Sequence, residues 1–196
     1  MSADTDTAMN YFLRTQFPLL TKEHFESIDN LYPQGKKFPG AGRYWQSTSD
    51  AYGHMRYMCP AIYISGVYAK QSIPSWNYRY NVEDPISKAN GLGVSHTIEV
   101  NAIFGPAYSR GAAPASYYTI NKNAVPLMQG YWTSFIRTYD PNVFRMKGSP
   151  KWEQWGGEKG MNRIRLETNT TEMEVVDSET QKRCAFFSSI GASIHQ

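Results

Sequence analysis

The sequence contains no uninterrupted apolar stretch close to the 18 or so residues that a membrane-crossing helix requires, so no membrane span is expected. It also contains no run of five like charges. Its densest basic spots are the pairs Lys36-Lys37 and Lys182-Arg183, and both read as solvated surface. Twenty Lys and Arg stand against 17 Asp and Glu, a net charge of +3. That balance argues against a nucleic-acid partner, which calls for positive charge gathered on one face. Only two cysteines are present, Cys59 and Cys184. Two buried inert thiols or a single disulfide both fit that count. The opening stretch MSADTDTAMN has neither the basic start nor the apolar core of a signal peptide, an observation about the chain as given. None of the four histidines stands at ligand spacing from a cysteine or carboxylate, so no metal or other cofactor is expected. Internal repeats and low-complexity segments are absent as well.

What is present is a core-forming composition. Hydrophobic residues make up 41% and aromatics 14%, which argues against disorder. The length fits one domain or a large piece of one. Residues 1–8 are polar and read as frayed or disordered. Met9 to Phe17 reads as a short helix stopped by Pro18. Thr21 caps a second helix with the inner stripe Phe25, Ile28 and Leu31. A Gly/Pro-rich loop follows over residues 34–42. Tyr44 to Met58 has helical spacing in Trp45, Tyr52, Met55 and Met58. Cys59-Pro60 then opens another helix carrying Ile62, Ile64, Val67 and Tyr68, with Pro60 suited to the first turn.

Trp76 to Val82 alternates aromatic and polar residues, as a strand does. Asp84-Pro85 turns the chain, and Gly91 and Gly93 lead through a loop to His96. Thr97 to Phe104 reads as a short helix ended by Gly105-Pro106. The Ala/Pro/Gly-rich stretch 106–118 reads as loop, with a surface face for Tyr108, Tyr117 and Tyr118. Asn123 to Tyr139 is the best long helix, with a stripe of Leu127, Tyr131, Trp132, Phe135 and Ile136. Met161–Glu167 and Met173–Val176 read as strands, and Ser178–Phe187 as a closing helix capped by Ser178. This order implies an α/β fold whose sheet is covered by helices. Two or three strands are few for so many helices, which suggests that the rest of the sheet lies upstream. Asn169-Thr170-Thr171 is an N-glycosylation triplet and makes Asn169 a glycosylation candidate.

Gly91 to Gly105, GLGVSHTIEVNAIFG, resembles the histidine motif of the type-B carboxylesterase/lipase family, which includes cholinesterases and many fungal esterases. The matching residues are His96, Glu99, Phe104 and Gly105. Ser95 stands where proline or phenylalanine is common, and Thr97 where glycine or serine is common. Three further stretches match in the same order. Met58-Cys59-Pro60-Ala61 is similar to the family's Cys-Pro helix start. YWTSFIRTYDPN, Tyr131 to Asn142, is similar to its Trp-x-x-Phe-Ala-Arg-Thr-Gly-x-Pro-Asn segment. Arg183-Cys184-Ala185-Phe186 is similar to its Arg-Cys-x-Phe element. Trp152-x-x-Trp155 suits its Trp-Pro-x-Tyr/Trp turn, with the proline displaced to position 150. Residues 17–33 resemble the family more loosely.

The resemblance implies one partial domain over residues 1–196: the C-terminal part of an α/β-hydrolase fold, with the last strands of its mixed sheet and their flanking helices. It implies ester hydrolysis through a Ser-Glu-His triad, with chain order Ser, acid, His. His96 would be the catalytic base of that triad. Glu99 would be a buried acid behind it, held by hydrogen bonds rather than acting as the triad acid. No G-x-S-x-G occurs in this sequence, and neither the glycine-rich oxyanion loop nor the Glu-Gly of the triad acid is present. The chain alone is therefore expected to be inactive. Its expected partners are a small-molecule or lipid ester, taken by the parent enzyme, and the missing N-terminal part of the hydrolase domain. Cys59 and Cys184 match elements that some family members join by a disulfide. With Asn169, that points to a secreted glycoprotein.

Two alternatives stand beside this reading. One is a non-catalytic interaction or regulatory member of the same fold, against which the retained His96 argues mildly. The other is an unrelated enzyme using Cys59 as a nucleophile at a helix start. Cut sheet edges would also make an isolated piece poorly soluble or a homodimer.

Overall fold

The computed structural model describes residues 3–109, 111–157 and 160–195. The chain divides into two compact units, Met1–Ile73 with Val176–Gln196, and Pro74–Val175.

The first unit is helical. Helix α1 (Asp6–Gln16) starts where Thr5 accepts a hydrogen bond from Ala8 N, and it buries Met9 and Leu13. Residues 3–8 are thus folded rather than frayed. Ala3 is buried and its carbonyl accepts from Tyr44 N at 2.7 Å, while residues 1 and 2 of that expected tail lie outside the described residues. Helix α2 (Lys22–Leu31) begins at the expected Thr21. Thr21 accepts from His24 N, and the His24 ring accepts from Thr21 N, so the two residues satisfy each other's exposed amides. Helix α3 (Trp45–Gly53) continues into a wide π-type turn, His54–Met58. Helix α4 (Cys59–Lys70) follows with Pro60 in its first turn, where the missing N–H costs nothing. Of the apolar residues that α4 carries, Ile62 is buried, whereas Ile64, Val67 and Tyr68 are exposed, as is Tyr63. Helix α8 (Ser178–Ser189) closes the unit. Its cap is Asp177, one residue before the expected Ser178, accepting from Thr180 N at 2.8 Å. Tyr32 stacks on Phe187 of α8, with the Arg183 guanidinium 4.7 Å above the Tyr32 ring.

The second unit holds the sheet, in the order β1-β2-β3. Strand β1 (Tyr78–Tyr80) pairs parallel with β2 (Asn162–Leu166), Tyr78 opposite Ile164. Strand β3 (Glu172–Val175) pairs antiparallel with β2 through a short hairpin. A parallel pair needs a long crossover. Here it contains α5 (Pro85–Ala89), α6 (Val100–Phe104) and α7 (Ala124–Thr138). Asp84-Pro85 starts α5 rather than making a plain turn: the Asp84 carboxylate accepts from Ile86 N and Ser87 N. The expected helix from Thr97 is shorter, because Thr97 itself has φ +69° and the helix begins only at Val100.

On α7 the buried face is Ala124, Leu127, Met128, Tyr131 and Ser134, one step round from the expected stripe. Phe135 and Ile136 are exposed, Ile136 to 74%. Ser134 takes the inner place because its hydroxyl donates to Asp140 O and accepts from Phe144 N, tying down the turn after α7. That helix ends at Tyr139 in the left-handed region. The core of this unit gathers Val82, Tyr117, Leu127, Met128, Tyr131, Trp152, Ile164 and Leu166. Tyr117, expected on a surface loop, is 1% exposed. The other two tyrosines of that stretch, Tyr108 and Tyr118, face solvent. Among the described residues β1 is an edge strand, although parallel strands are usually covered on both sides.

Candidate active-site loop

His96 stands on an exposed turn between α5 and α6. Three positive-φ residues shape its approach and exit: Gly91 at +80°, Gly93 at +55° and Thr97 at +69°. Glycine adopts such angles without a Cβ clash, so the two glycines let the chain leave α5 sharply. Beyond His96 the backbone turns tightly. Ile98 N donates to Ser95 O at 3.2 Å, and Val100 N to Thr97 O at 3.1 Å. The Thr97 hydroxyl donates to the His96 carbonyl at 2.6 Å, which fixes the peptide directly after the histidine.

The turn is held from below. The Ile98 carbonyl accepts from Asn101 Nδ2 at 3.0 Å and from the Tyr117 hydroxyl at 3.3 Å. Tyr117 spends its single proton on Ile98, so Tyr80 is the donor across the 2.7 Å between the two tyrosine oxygens. Burial pushes both hydroxyls above their ordinary range, and the nearby Glu99 carboxylate pushes the same way. Glu99 also raises Tyr78, after burial of that ring. Glu99 is half-buried, in the residue just before α6. Sequence reasoning did not find the Tyr80–Tyr117 pair. Its signal was the alternation of β1, which places Tyr80 and Val82 on one face.

The structure brings His96 and Glu99 into one loop of the second unit. Cys59 and Cys184 lie in the first unit and are joined by a disulfide that closes a separation of 125 residues. With Cys59 bonded, it is not a free thiolate, and the cysteine-nucleophile alternative is overturned. Asn169 sits exposed at the tip of the β2–β3 hairpin with φ +66°. Its Oδ1 accepts from Asn123 Nδ2 at 3.0 Å, a bond that leaves its own Nδ2 unused. Among the described residues, no group of three or more His, Cys, Asp or Glu is placed to hold a metal ion. Among the same residues, no helix is long and apolar enough to cross a membrane.

His54 is 7% exposed, and its Nδ1 donates to Asp50 O at 2.8 Å. Burial holds its pKa below the ordinary value.

Comparison with known proteins bears on the fold and the family. The fold matches the crystal structure of Aspergillus niger EstA with a TM-score of 0.92 and 33% identity, over 99% of this chain and 37% of that one. The chain is 25% identical over 163 residues to "Secreted lipase 4" of Gibberella zeae, covering 79% of this chain and 27% of the relative. It is 21% identical over 173 residues to "Carboxylesterase 1E" of Mus musculus, covering 86% of this chain and 29% of that relative. It therefore spans well under half the length of each of these relatives, and its fold is part of an α/β-hydrolase. The carboxylesterase family model matches residues 2–187, so the chain belongs to the carboxylesterase family.

Proposed function

We propose that this chain is the histidine-bearing C-terminal part of a carboxylic ester hydrolase that works through a serine acyl-enzyme, with His96 as general base and acid. The observation that carries this reading is the position of His96: on an exposed turn after the parallel strand β1, in a chain of the carboxylesterase family. In the triad order Ser, acid, His, the histidine falls late and on such a loop. The imidazole takes the proton of the serine hydroxyl as that oxygen attacks the ester carbonyl. It returns the proton to the leaving alcohol, and water then repeats the cycle to release the acid. Glu99 is the acidic residue behind the histidine and is not the triad acid.

The serine, the triad glutamate and the oxyanion donors come from a further segment, the partner this chain needs. Two features support such a partner. Among the described residues β1 lies at the edge of the three-stranded sheet, where a further strand could be added. The face of α4 presents Tyr63, Ile64, Val67 and Tyr68 to solvent. Alone, the chain is inactive, because its imidazole has no activated hydroxyl to serve, and it is prone to self-association. The parent's substrate is a small-molecule or lipid ester. Export, with glycosylation at Asn169, is supported by the disulfide, which oxidising compartments maintain. The name of the Gibberella zeae relative agrees with it.

The test is hydrolysis of p-nitrophenyl acetate and butyrate by this chain and by His96→Ala. Neither should turn over, and His96-dependent turnover by the chain alone would refute its inactivity. Adding a G-x-S-x-G segment encoded just upstream should restore turnover in the wild type only. A folded complex that stays inactive, or that works equally with His96→Ala, sinks the catalytic role.

A further inference from the structure

The turn that carries His96 is strained at the very next residue. Ile98 N donates to Ser95 O at 3.2 Å, so His96 and Thr97 are the two central residues of a closed four-residue turn. Thr97 has φ +69°. Glycine takes that angle freely, but a β-branched side chain crowds the backbone there. The Thr97 hydroxyl offsets part of that cost through its 2.6 Å bond to His96 O. A residue keeps such a conformation only where its surroundings over-determine it.

Here the fixing contacts converge on one atom, the carbonyl oxygen of Ile98. It accepts from Asn101 Nδ2 at 3.0 Å and from the Tyr117 hydroxyl at 3.3 Å. Both donors are themselves held. Asn101 Oδ1 accepts from the Ser109 hydroxyl at 2.7 Å, which orients the amide. Tyr117 lies in the core of the second unit, and its oxygen accepts from Tyr80 at 2.7 Å. Asn101 is only three residues from Ile98 and moves with the loop. Tyr117 comes from a separate element, the 3₁₀ turn Ala115–Tyr118, and so ties the turn to the core.

We propose that Tyr117 is a positioning residue for His96: by holding the Ile98 carbonyl it keeps Thr97 at positive φ, and that angle sets where His96 points. This rests on the reading of His96 as catalytic base. Tyr117 acts through the backbone, two residues away from the imidazole. With Ile98 anchored, rotation about the Thr97 N–Cα bond moves the chain before it, His96 included. Relaxation of Thr97 to an ordinary negative φ is a rotation of roughly 130°. The clamp is needed because Thr97 is strained, so glycine at position 97 should make it dispensable.

The test compares the isotope-labelled chain with Tyr117→Phe, Thr97→Gly and the double variant by NMR. Hydrogen exchange of the Ile98 amide reports the turn. The Ile164 amide, bonded to Asn77 O at 3.1 Å, is the reference for the sheet. The His96 imidazole signals report the side chain. In Tyr117→Phe, Ile98 exchange should quicken about tenfold beyond any change at Ile164, the effect of losing one good hydrogen bond, and the His96 signals should move. In the double variant both should return to the Thr97→Gly values, a rescue that a merely structural tyrosine would not show. Unchanged Ile98 exchange and His96 signals in a folded Tyr117→Phe overturn the proposal, as does a double variant without rescue. Should Tyr117→Phe fail to fold, folding of the double variant is the rescue, and its failure overturns the proposal. With the upstream G-x-S-x-G segment added, Tyr117→Phe should lower kcat about tenfold at unchanged KM, and the double variant should recover it. Normal kcat in an active complex with a loosened turn overturns the positioning role. An inactive wild-type complex sinks the catalytic reading of His96 instead, and the NMR comparison still decides whether Tyr117 sets the turn.

Discussion

The Tyr80 hydroxyl donates to the Tyr117 hydroxyl across 2.7 Å, and through Tyr117 it reaches the carbonyl of Ile98, two residues beyond His96. Strand β1, the short 3₁₀ turn Ala115–Tyr118 and the His96 turn are thereby joined through these two side chains. Removing either oxygen should be felt in stability, but unequally. Tyr80→Phe leaves Tyr117 still bonded to Ile98 and should cost about 1 kcal/mol. Tyr117→Phe leaves the Tyr80 proton buried without its acceptor and strips Ile98 of a donor, so it should cost about 2–3 kcal/mol. Chemical denaturation of both singles and the double variant checks this. Strictly additive losses would deny that the two hydroxyls act together.

The Cys59–Cys184 bridge ties the start of α4 to α8 and closes a separation of 125 residues. Restricting so long a loop in the unfolded chain stabilises the folded state by about 4–5 kcal/mol in the chain-entropy account. The double variant Cys59→Ser/Cys184→Ser should lose that much in urea unfolding. Reducing agent should destabilise the wild type and leave the variant unchanged. A shift under 1 kcal/mol in either comparison would contradict the entropic reading.

His54 sets a pH dependence. Burial is the main force depressing its pKa; Arg183 adds to it, while the bond to Asp50 O and the charges of Asp50 and Asp177 oppose it. Below its ordinary 6.5 the unfolded chain takes up a proton that the folded one refuses. Stability from this residue is therefore full above 6.5 and falls as pH drops below it. Asp50 works the other way in its own window, since burial raises its carboxyl above 3.8. Tm measured between pH 7 and 5 should fall more for the wild type than for His54→Gln. Parallel curves would mean that His54 titrates alike in both states.

Much of this was legible in the sequence, for reasons that differ by element. Thr21 and the Cys59-Pro60 helix start are local signals, read from a cap and a proline, and local chemistry decided both. The His96 loop was found through ordered motifs, which carry information about ancestry that periodicity lacks. The α7 stripe was misplaced because Phe135 and Ile136 outrank Ser134 in apolarity. Yet Ser134 is the residue that can hold Asp140 O and Phe144 N. His54 and Tyr117 were hidden because each is buried by residues distant in sequence.

Glu174 is the central acceptor of the sheet, and it yields the last prediction. From β3 it takes Arg79 of β1 at 2.8 and 2.6 Å through both oxygens, and Arg163 of β2 at 2.7 Å. The Arg163 side chain is 4% exposed, so water screens its pairing with this carboxylate little. Burial alone would push the Glu174 carboxyl up, but the hydrogen bonds and charges of the two arginines outweigh it and hold it below 4.5. A depressed carboxyl contributes stability above its unfolded value and loses it as pH falls through the folded one. Glu174→Gln should therefore cost about 3 kcal/mol at neutral pH and flatten acid unfolding below pH 4.5. Glu172→Gln is the internal control. It pairs with Arg165 at 2.7 Å, but its side chain is 60% exposed, and water screens such a pair. Its loss should stay under about 1 kcal/mol. Equal costs for the two variants in urea unfolding would mean that burial of the Glu174 cluster contributes nothing beyond surface pairing.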